Sequence, residues 1–224
     1  MRTTFDLSTM TLRDVNAALH TAGLDGDYEI TNVAGAHNVA VGLNAPAKVT
    51  IHGHVGYFAA GMNQQAEVLV NGNVGQGVAE NMMSGSVLVT GSASQSAGAT
   101  GRGGVLVIRG DAGARCGISM KGIDIVVGGS VGHMSAFMAQ RGRLVVRGDA
   151  GDALGDSIYE ARIYLRGTTK SLGADCIEKP MREEHLTELA GLLKTAGYEG
   201  DDPSTYRRYG SARTLYHFTH ENEY

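Results

Sequence analysis

The 224-residue sequence has only two cysteines, and neither stands in a CxxC spacing. That excludes the usual thiolate frameworks for a structural zinc or an iron-sulfur cluster. Cys116 and Cys176 read as reduced, buried thiols. Charge of one sign is also scarce: 19 Lys and Arg face 23 Asp and Glu, a net of -4. Nothing in that balance draws the chain to nucleic acid or to an anionic membrane. No apolar run approaches the ~20 residues that cross a bilayer. The opening MRTTFDLSTM carries an early acid and no apolar block, so no secretory signal is expected and a cytoplasmic location is. RGDAGARCGISMKG, residues 109 to 122, looks like a phosphate loop but lacks the Gly-Lys-Ser/Thr that opens a helix there; Lys121 and Gly122 run into the strand-like IDIVV.

Glycine is what the chain has in abundance, 33 residues, about twice the usual ~7% share. Gly53, Gly72, Gly91, Gly110, Gly129, Gly148 and Gly167 recur every 19 residues. Four places before them stand Val49, Val68, Val87, Leu106, Ile125, Leu144 and Ile163; two places before stand Ile51, Val70, Val89, Ile108, Val127, Val146 and Leu165. Alternate residues of a strand share a face, so these fourteen aliphatic side chains point into one core. A smaller column two places after each glycine, Val55, Val74, Ala93, Ala112, Val131, Ala150 and Thr169, fills a second wall. A 19-residue unit cannot bury its own apolar face and must stack on its neighbours. The fold class is therefore all-β: a right-handed parallel β-helix of about seven 19-residue coils, with short α-helices at both ends. The repeated glycines are expected at corners, where the backbone angles or a close approach to the next coil disfavour a β-carbon.

Thr11 as N-cap with Asp14 three residues on, followed by Leu12, Val15, Leu19 and Ala22, predicts a first helix stopped by Gly23. REEHLTELAGLLKTAG predicts a second, with Leu186, Leu189, Leu192 and Leu193 on one face and Gly197 closing it. Three segments result: an N-terminal capping helix over 1–27, the β-helix over 28–180 and a helix with an interface arm over 181–224. Three places before each glycine a further column, Thr50, Leu69, Leu88, Val107, Val126, Val145 and Tyr164, faces outward. Such an apolar stripe on a soluble protein needs a cover, either one of the chain's own terminal helices or a partner. The arm is dense in Tyr and Arg, with Tyr206, Arg207, Arg208, Tyr209, Tyr216 and Phe218, residue types that anchor interfaces. It reads as wrapping a partner or the prism wall.

Candidate chemistry is thin. His52 and His54 share a strand face, yet the matching positions of the next coil are Asn71 and Asn73, which are not usual zinc ligands. No metal site and no catalytic residue is expected in this chain. His133 reads as packing, and GDSIYEA, residues 155 to 161, as polar capping of backbone N-H groups at a corner. QSAGATGRGG, residues 95 to 104, reads as a tight bend.

GNVGQGVAENMMSG, GSASQSAGATGRGG, GDAGARCGISMKG and GDSIYEARIYLRG followed by SLGADC resemble the GXGXG domain that closes the large subunit of glutamate synthase, over about residues 28 to 180. In that family the domain is a β-helix that braces catalytic domains and carries no catalytic residue. AHNVAVGLNAP, VGHMSAFMAQ and RRYGSARTLYHF make a free-standing chain that looks like the small β-helix subunit of N-methylglutamate synthases, the methylamine-glutamate N-methyltransferases. The resemblance implies a hetero-oligomer forming N-methylglutamate from methylamine and glutamate with release of ammonia. Its partners would be a glutaminase-type amidotransferase subunit and an FMN-dependent glutamate-synthase-like subunit. FMN and an iron-sulfur cluster would sit in a partner and no cofactor in this chain. Related coils occur in glutamate synthase itself and in the C subunits of formylmethanofuran dehydrogenase and the formyltransferase/hydrolase complex. Of other classes, a β-helix acyltransferase would need a catalytic histidine, with His133 the candidate, and a lid or tunnel element would shape an ammonia path between partners.

Overall fold

The computed structural model describes residues 2–21 and 26–213. The chain opens with β1 (Arg2–Asp6), α1 (Leu12–Thr21) and β2 (Asp27–Thr31). One strand per coil follows: β3 (Lys48–His52), β4 (Glu67–Asn71), β5 (Ser86–Val89), β6 (Val105–Ile108), β7 (Lys121–Val127), β8 (Arg141–Val146) and β9 (Arg162–Leu165). The chain ends with β10 (Cys176–Lys179), α2 (Glu183–Thr195), a 3-10 turn at Pro203–Thr205 and β11 (Arg207–Ser211). Together the strands form one sheet in the order β1 to β9, then β11, then β10. Pairing is parallel from β1 through β9, and β11 runs antiparallel to both its neighbours. The architecture is the expected β-solenoid of about seven turns.

The register is that of the repeat. Val49 pairs with Val68, Val68 with Val87 and Val87 with Leu106, and the column continues through Ile125 and Leu144 to Ile163. All fourteen aliphatic residues are at most 2% exposed. They form the apolar axis that holds the coils together. The second wall consists of single parallel bridges linking Val55, Val74, Ala93, Ala112, Val131, Ala150 and Thr169.

Of the two reasons expected for the repeated glycines, close approach to the neighbouring coil is the one that applies at six of the seven. Only Gly53 has a positive φ, +117°; the other six do not, so backbone freedom is not what selects them. A β-carbon at Gly91 would lie 2.2 Å from Asn73 Oδ1, at Gly110 2.3 Å from Ser92 Oγ, and at Gly129 2.1 Å from Asp111 Oδ1. Those side-chain oxygens belong to a ladder just after each glycine. The backbone N-H of Asn73 donates to His54 Nδ1, that of Ser92 to Asn73 Oδ1, that of Asp111 to Ser92 Oγ and that of Ser130 to Asp111 Oδ1. Asp149 N-H donates to Ser130 Oγ, and Thr168 N-H to Asp149 Oδ1. Each coil thus caps the next one's backbone through the space a β-carbon would fill.

Positive φ occurs on the third wall instead, at three alternate positions per coil: Phe58, Ala60 and Met62, then Gly77, Ala79 and Asn81, then Ser96, Gly98 and Thr100, and so on to Ala153, Gly155 and Ser157. Most of these residues are not glycine, and each such angle costs on the order of 1 kcal/mol. Stacking fixes them: Ala79, Gly98, Gly117 and Ala136 donate their N-H groups to Ala59, Val78, Ala97 and Cys116 on the coil before. QSAGATGRGG is one of these bends.

The terminal segments belong to the sheet more fully than the three-part division supposed. α1 forms with the expected N-cap, the Asp14 N-H donating to Thr11 Oγ1 at 3.2 Å, and it buries Val15 and Leu19; Ala22 and Gly23 lie outside the described residues. Ahead of it, β1 pairs in parallel with β2, so the sheet also takes in residues 2–6. At the other end the expected arm supplies β11, inserted between β9 and β10. An apolar-alternation pattern does not reveal RRYGS as a strand, because it forms only where β9 offers an open edge.

Candidate partner-binding walls

The outward column divides in two. Val107, Val126, Val145 and Tyr164 are at most 6% exposed, packed against Leu189, Leu192, Leu193 and Ala196 of α2 and against Tyr206. Of the two covers expected for this stripe, partner or own helix, the chain's own helix is the one over these four residues. Thr50 and Leu69, on the coils beyond the helix, are half-buried, and Leu88, also half-buried, packs against the margin of the helix cluster.

Polar pins fix the helix in place. Glu188 accepts from Tyr164 Oη at 2.5 Å, from Arg162 at 2.6 Å and from Arg143 at 3.1 Å, while Arg143 also forks onto Asp124. Burial works to raise the Glu188 carboxyl, but the Tyr164 hydroxyl and the two guanidinium groups outweigh it and hold it below the usual range. Burial first, and then the Glu188 charge, push the Tyr164 phenol above its ordinary value. Beyond the helix, Asp201 accepts from Arg147 at 2.6 and 2.9 Å, from Tyr206 Oη at 2.8 Å and from Arg166 at 3.2 Å. The Arg147 fork brings its pKa down to about 2. The ring of Tyr198 lies under the Arg147 guanidinium, 3.9 Å from its centroid, and Arg109 lies 4.7 Å away. Arg109 also donates to the Ala196 carbonyl at the end of α2, at 2.6 Å.

Sequence reading missed these pins. Their signal is a change of composition in the column just before each repeated glycine: His52, Asn71 and Thr90 give way to Arg109, Gly128, Arg147 and Arg166 where the C-terminal segment returns. Gly128 interrupts the arginines because a β-carbon there would sit 2.4 Å from Tyr198 Oη.

Of the expected arm residues, Tyr206 and Tyr209 are each 3% exposed and pack within this chain. Arg208 donates to the Pro180 carbonyl, and Arg207 is exposed and donates to the Gly167 carbonyl. Of the two surfaces expected for the arm, Tyr206, Arg208 and Tyr209 thus meet the prism wall; Tyr216 and Phe218 lie outside the described residues. His54 belongs to the capping ladder, and His52 Nε2 approaches Glu29 at 3.4 Å. His133 is exposed on a wall. In GDSIYEA, Asp156 accepts the Ala174 N-H at 3.2 Å and the Ser157 hydroxyl at 2.8 Å, a corner cap. Burial raises the Cys116 thiol to about 12 and, with the Asp156 charge, that of Cys176 to about 11, values at which neither is a nucleophile at neutral pH. Among the described residues no three His, Cys, Asp or Glu side chains stand together as a metal cluster, and no helix is long and apolar enough to cross a membrane.

The walls hold two further features. Tyr57, Phe58, Met62 and Met83 form an apolar patch on neighbouring coils, each between 39% and 53% exposed. Between the start of α2, the β10–β11 pair and the entries to β7 and β8 runs a groove of about 1380 Å³, lined by nine Lys and Arg against three Glu.

Fold and surface together define a class: a β-solenoid of about seven turns with its own C-terminal helix pinned along one wall. More particularly, the chain belongs to the family of Protein GlxC of Rhizobium meliloti (strain 1021), with which it is 60% identical over 220 residues, 97% of this chain and 96% of that protein. No family model matches the chain, and no solved structure does.

Proposed function

We propose that this chain is the non-catalytic β-helix subunit of a glutamate-synthase-like complex, and within that class of a complex forming N-methylglutamate from methylamine and glutamate with release of ammonia. The glutaminase-type amidotransferase and the FMN, iron-sulfur synthase would be separate partner chains, and the assembly would be cytoplasmic. The observation that carries this reading is a division of labour in the fold: Asp111, Asp149, Glu188 and Asp201 go into coil caps and helix pins, while Leu69 and the Tyr57–Met83 patch remain outward on a rigid frame. The segment resemblance to the glutamate-synthase GXGXG domain supplies the class, and the near full-length likeness to Protein GlxC supports a free-standing subunit.

Affinity purification of the tagged chain from its own cells tests this. Co-purifying amidotransferase and FMN-containing chains, with methylamine-dependent N-methylglutamate formation by the complex and none by the isolated chain, are expected. A lone chain that turns over substrate would end the proposal.

A further inference from the structure

The groove beside the start of α2 concentrates positive charge on a protein whose net charge is -4. Part of that charge is neutralised: Arg143 and Arg162 hold Glu188, and Arg213 pairs with Asp175. Arg102, Lys121 and Arg141 have no side-chain partner among the described residues. They stand on three consecutive coils, so they are stacked at ~4.8 Å per rung. Like charges at that spacing oppose one another. Glu160 follows on the next coil and lines the same groove, but it makes no ion pair with Arg141. Lys179 on β10 adds a fourth unpaired cation to the lining.

The backbone is arranged to present this row. Each of the three residues is followed by glycine, as Arg102-Gly103, Lys121-Gly122 and Arg141-Gly142. Gly122 and Gly142 have φ of +145° and +107°. At the same place β7 carries one extra residue: Lys121 pairs with Arg141, twenty positions on, whereas Asp124 pairs with Arg143, nineteen on. Such a bulge bends the strand and re-aims the side chain at its edge.

From this geometry we infer that the groove is a docking site for an extended, carboxylate-rich segment of a partner polypeptide. The inference deepens the scaffold reading and rests on it. Carboxylates at intervals along an extended chain could each meet one rung, and guanidinium groups bind them in two-point fashion. A small ligand is disfavoured because the lining supplies only Ala161 and Pro180 as aliphatic walls, where enclosed small-molecule sites are mostly apolar. A nucleic acid is disfavoured because three glutamates line the groove and, among the described residues, Tyr159 and His185 are its only aromatic rings, too few for a run of stacked bases.

The full chain, alone, is titrated with a fluorescein-labelled peptide of alternating Glu and Gly, with a single-stranded oligonucleotide and inorganic phosphate as competitors. The peptide should bind, weaken steeply with salt, and lose about tenfold or more in affinity in the R102E/K121E/R141E variant but not in K170E, with both variants melting as the parent does. Absence of peptide binding, or equal displacement by the oligonucleotide or phosphate, overturns the inference. In the purified complex, carbodiimide coupling should join Lys121 or Lys179 to a partner carboxylate, and the triple variant should recover less partner. A parent complex that shows neither effect removes the groove proposal alone. A chain that recovers no partner removes the scaffold reading, while the peptide titration still reports on the groove.

Discussion

Two halves of one sequence column meet different fates. Thr50, Leu69 and Leu88 occupy the same rung position as Val107, Val126, Val145 and Tyr164, on strands of the same register. Thr50 and Leu69 stay half-open, Leu88 packs half-buried at the margin of the α2 cluster, and the last four are sealed by it. The coil does not make this distinction. It comes from the arginines beside the later coils, which offer Glu188, Asp201 and the Ala196 carbonyl their partners, whereas the early coils offer His52, Asn71 and Thr90. A repetitive wall acquires an inside and an outside through the pins that flank it.

Four measurements break or sharpen this contrast. The largest effect should come from Val126→Asp, which places an unpaired carboxylate beneath α2 and should cost about 3–5 kcal/mol in denaturant unfolding. Leu69→Asp, on the open half, should stay within about 1 kcal/mol of the parent. Equal losses from the two would mean that both halves are covered.

Next in size, Gly72→Ala and Gly148→Ala should destabilise the two halves alike, by about 2–4 kcal/mol, since what their β-carbons would meet is the same. Each would meet the carbonyl of the preceding coil's glycine, with the Gly53 carbonyl carbon at 2.7 Å for Gly72 and the Gly129 carbonyl carbon at 2.7 Å for Gly148. A marked difference in thermal midpoint between them would move the distinction from the outer surface into the coil.

Asp201→Asn removes the charge that Arg147 and Arg166 share and should cost about 1 kcal/mol, a figure reduced for solvent screening. Because the native carboxyl lies at about 2, below its ordinary value, its contribution is fully present above about pH 4 and is lost as pH falls through 2. The gap between parent and variant in unfolding experiments should be constant near neutrality and should close in that acid window.

The smallest effect on stability should be that of Leu69→Ser with Leu88→Ser, within about 1 kcal/mol by thermal melt. That pair should nevertheless reduce recovery of partner chains in affinity purification, if the open half is where a partner rests. Unchanged recovery would place the partner elsewhere, with the Tyr57–Met83 patch the next surface to alter.

Much of the coil was legible because each core residue faces its equivalent one rung away. The 19-residue spacing alone predicts that Val49 lies over Val68 and Ile51 over Val70, and it places all fourteen side chains in the core. The same spacing locates the glycines but leaves two causes open. Close approach to Asn73, Ser92 and Asp111 looks identical in sequence to a need for positive φ, and many positive φ values fall on Ala, Ser and Met, which propensity does not nominate. Residues joined across long separations were hidden. Arg109 and Ala196, or Arg143 and Glu188, share no periodic relation, so their charges read as solvated surface.

By itself, then, the sequence determined the repeat: its period, its buried columns, its strands and the two helices, all of them consequences of neighbours one rung or one helical turn apart. The tertiary structure alone decided which part of the outer column is sealed, how β11 enters the sheet, and that Arg102, Lys121 and Arg141 line one groove with no ion-pair partner among the described residues. Those outcomes depend on where a distant segment returns and which charges it brings. Electrostatic pairing and edge closure act through space, and chain order does not encode them.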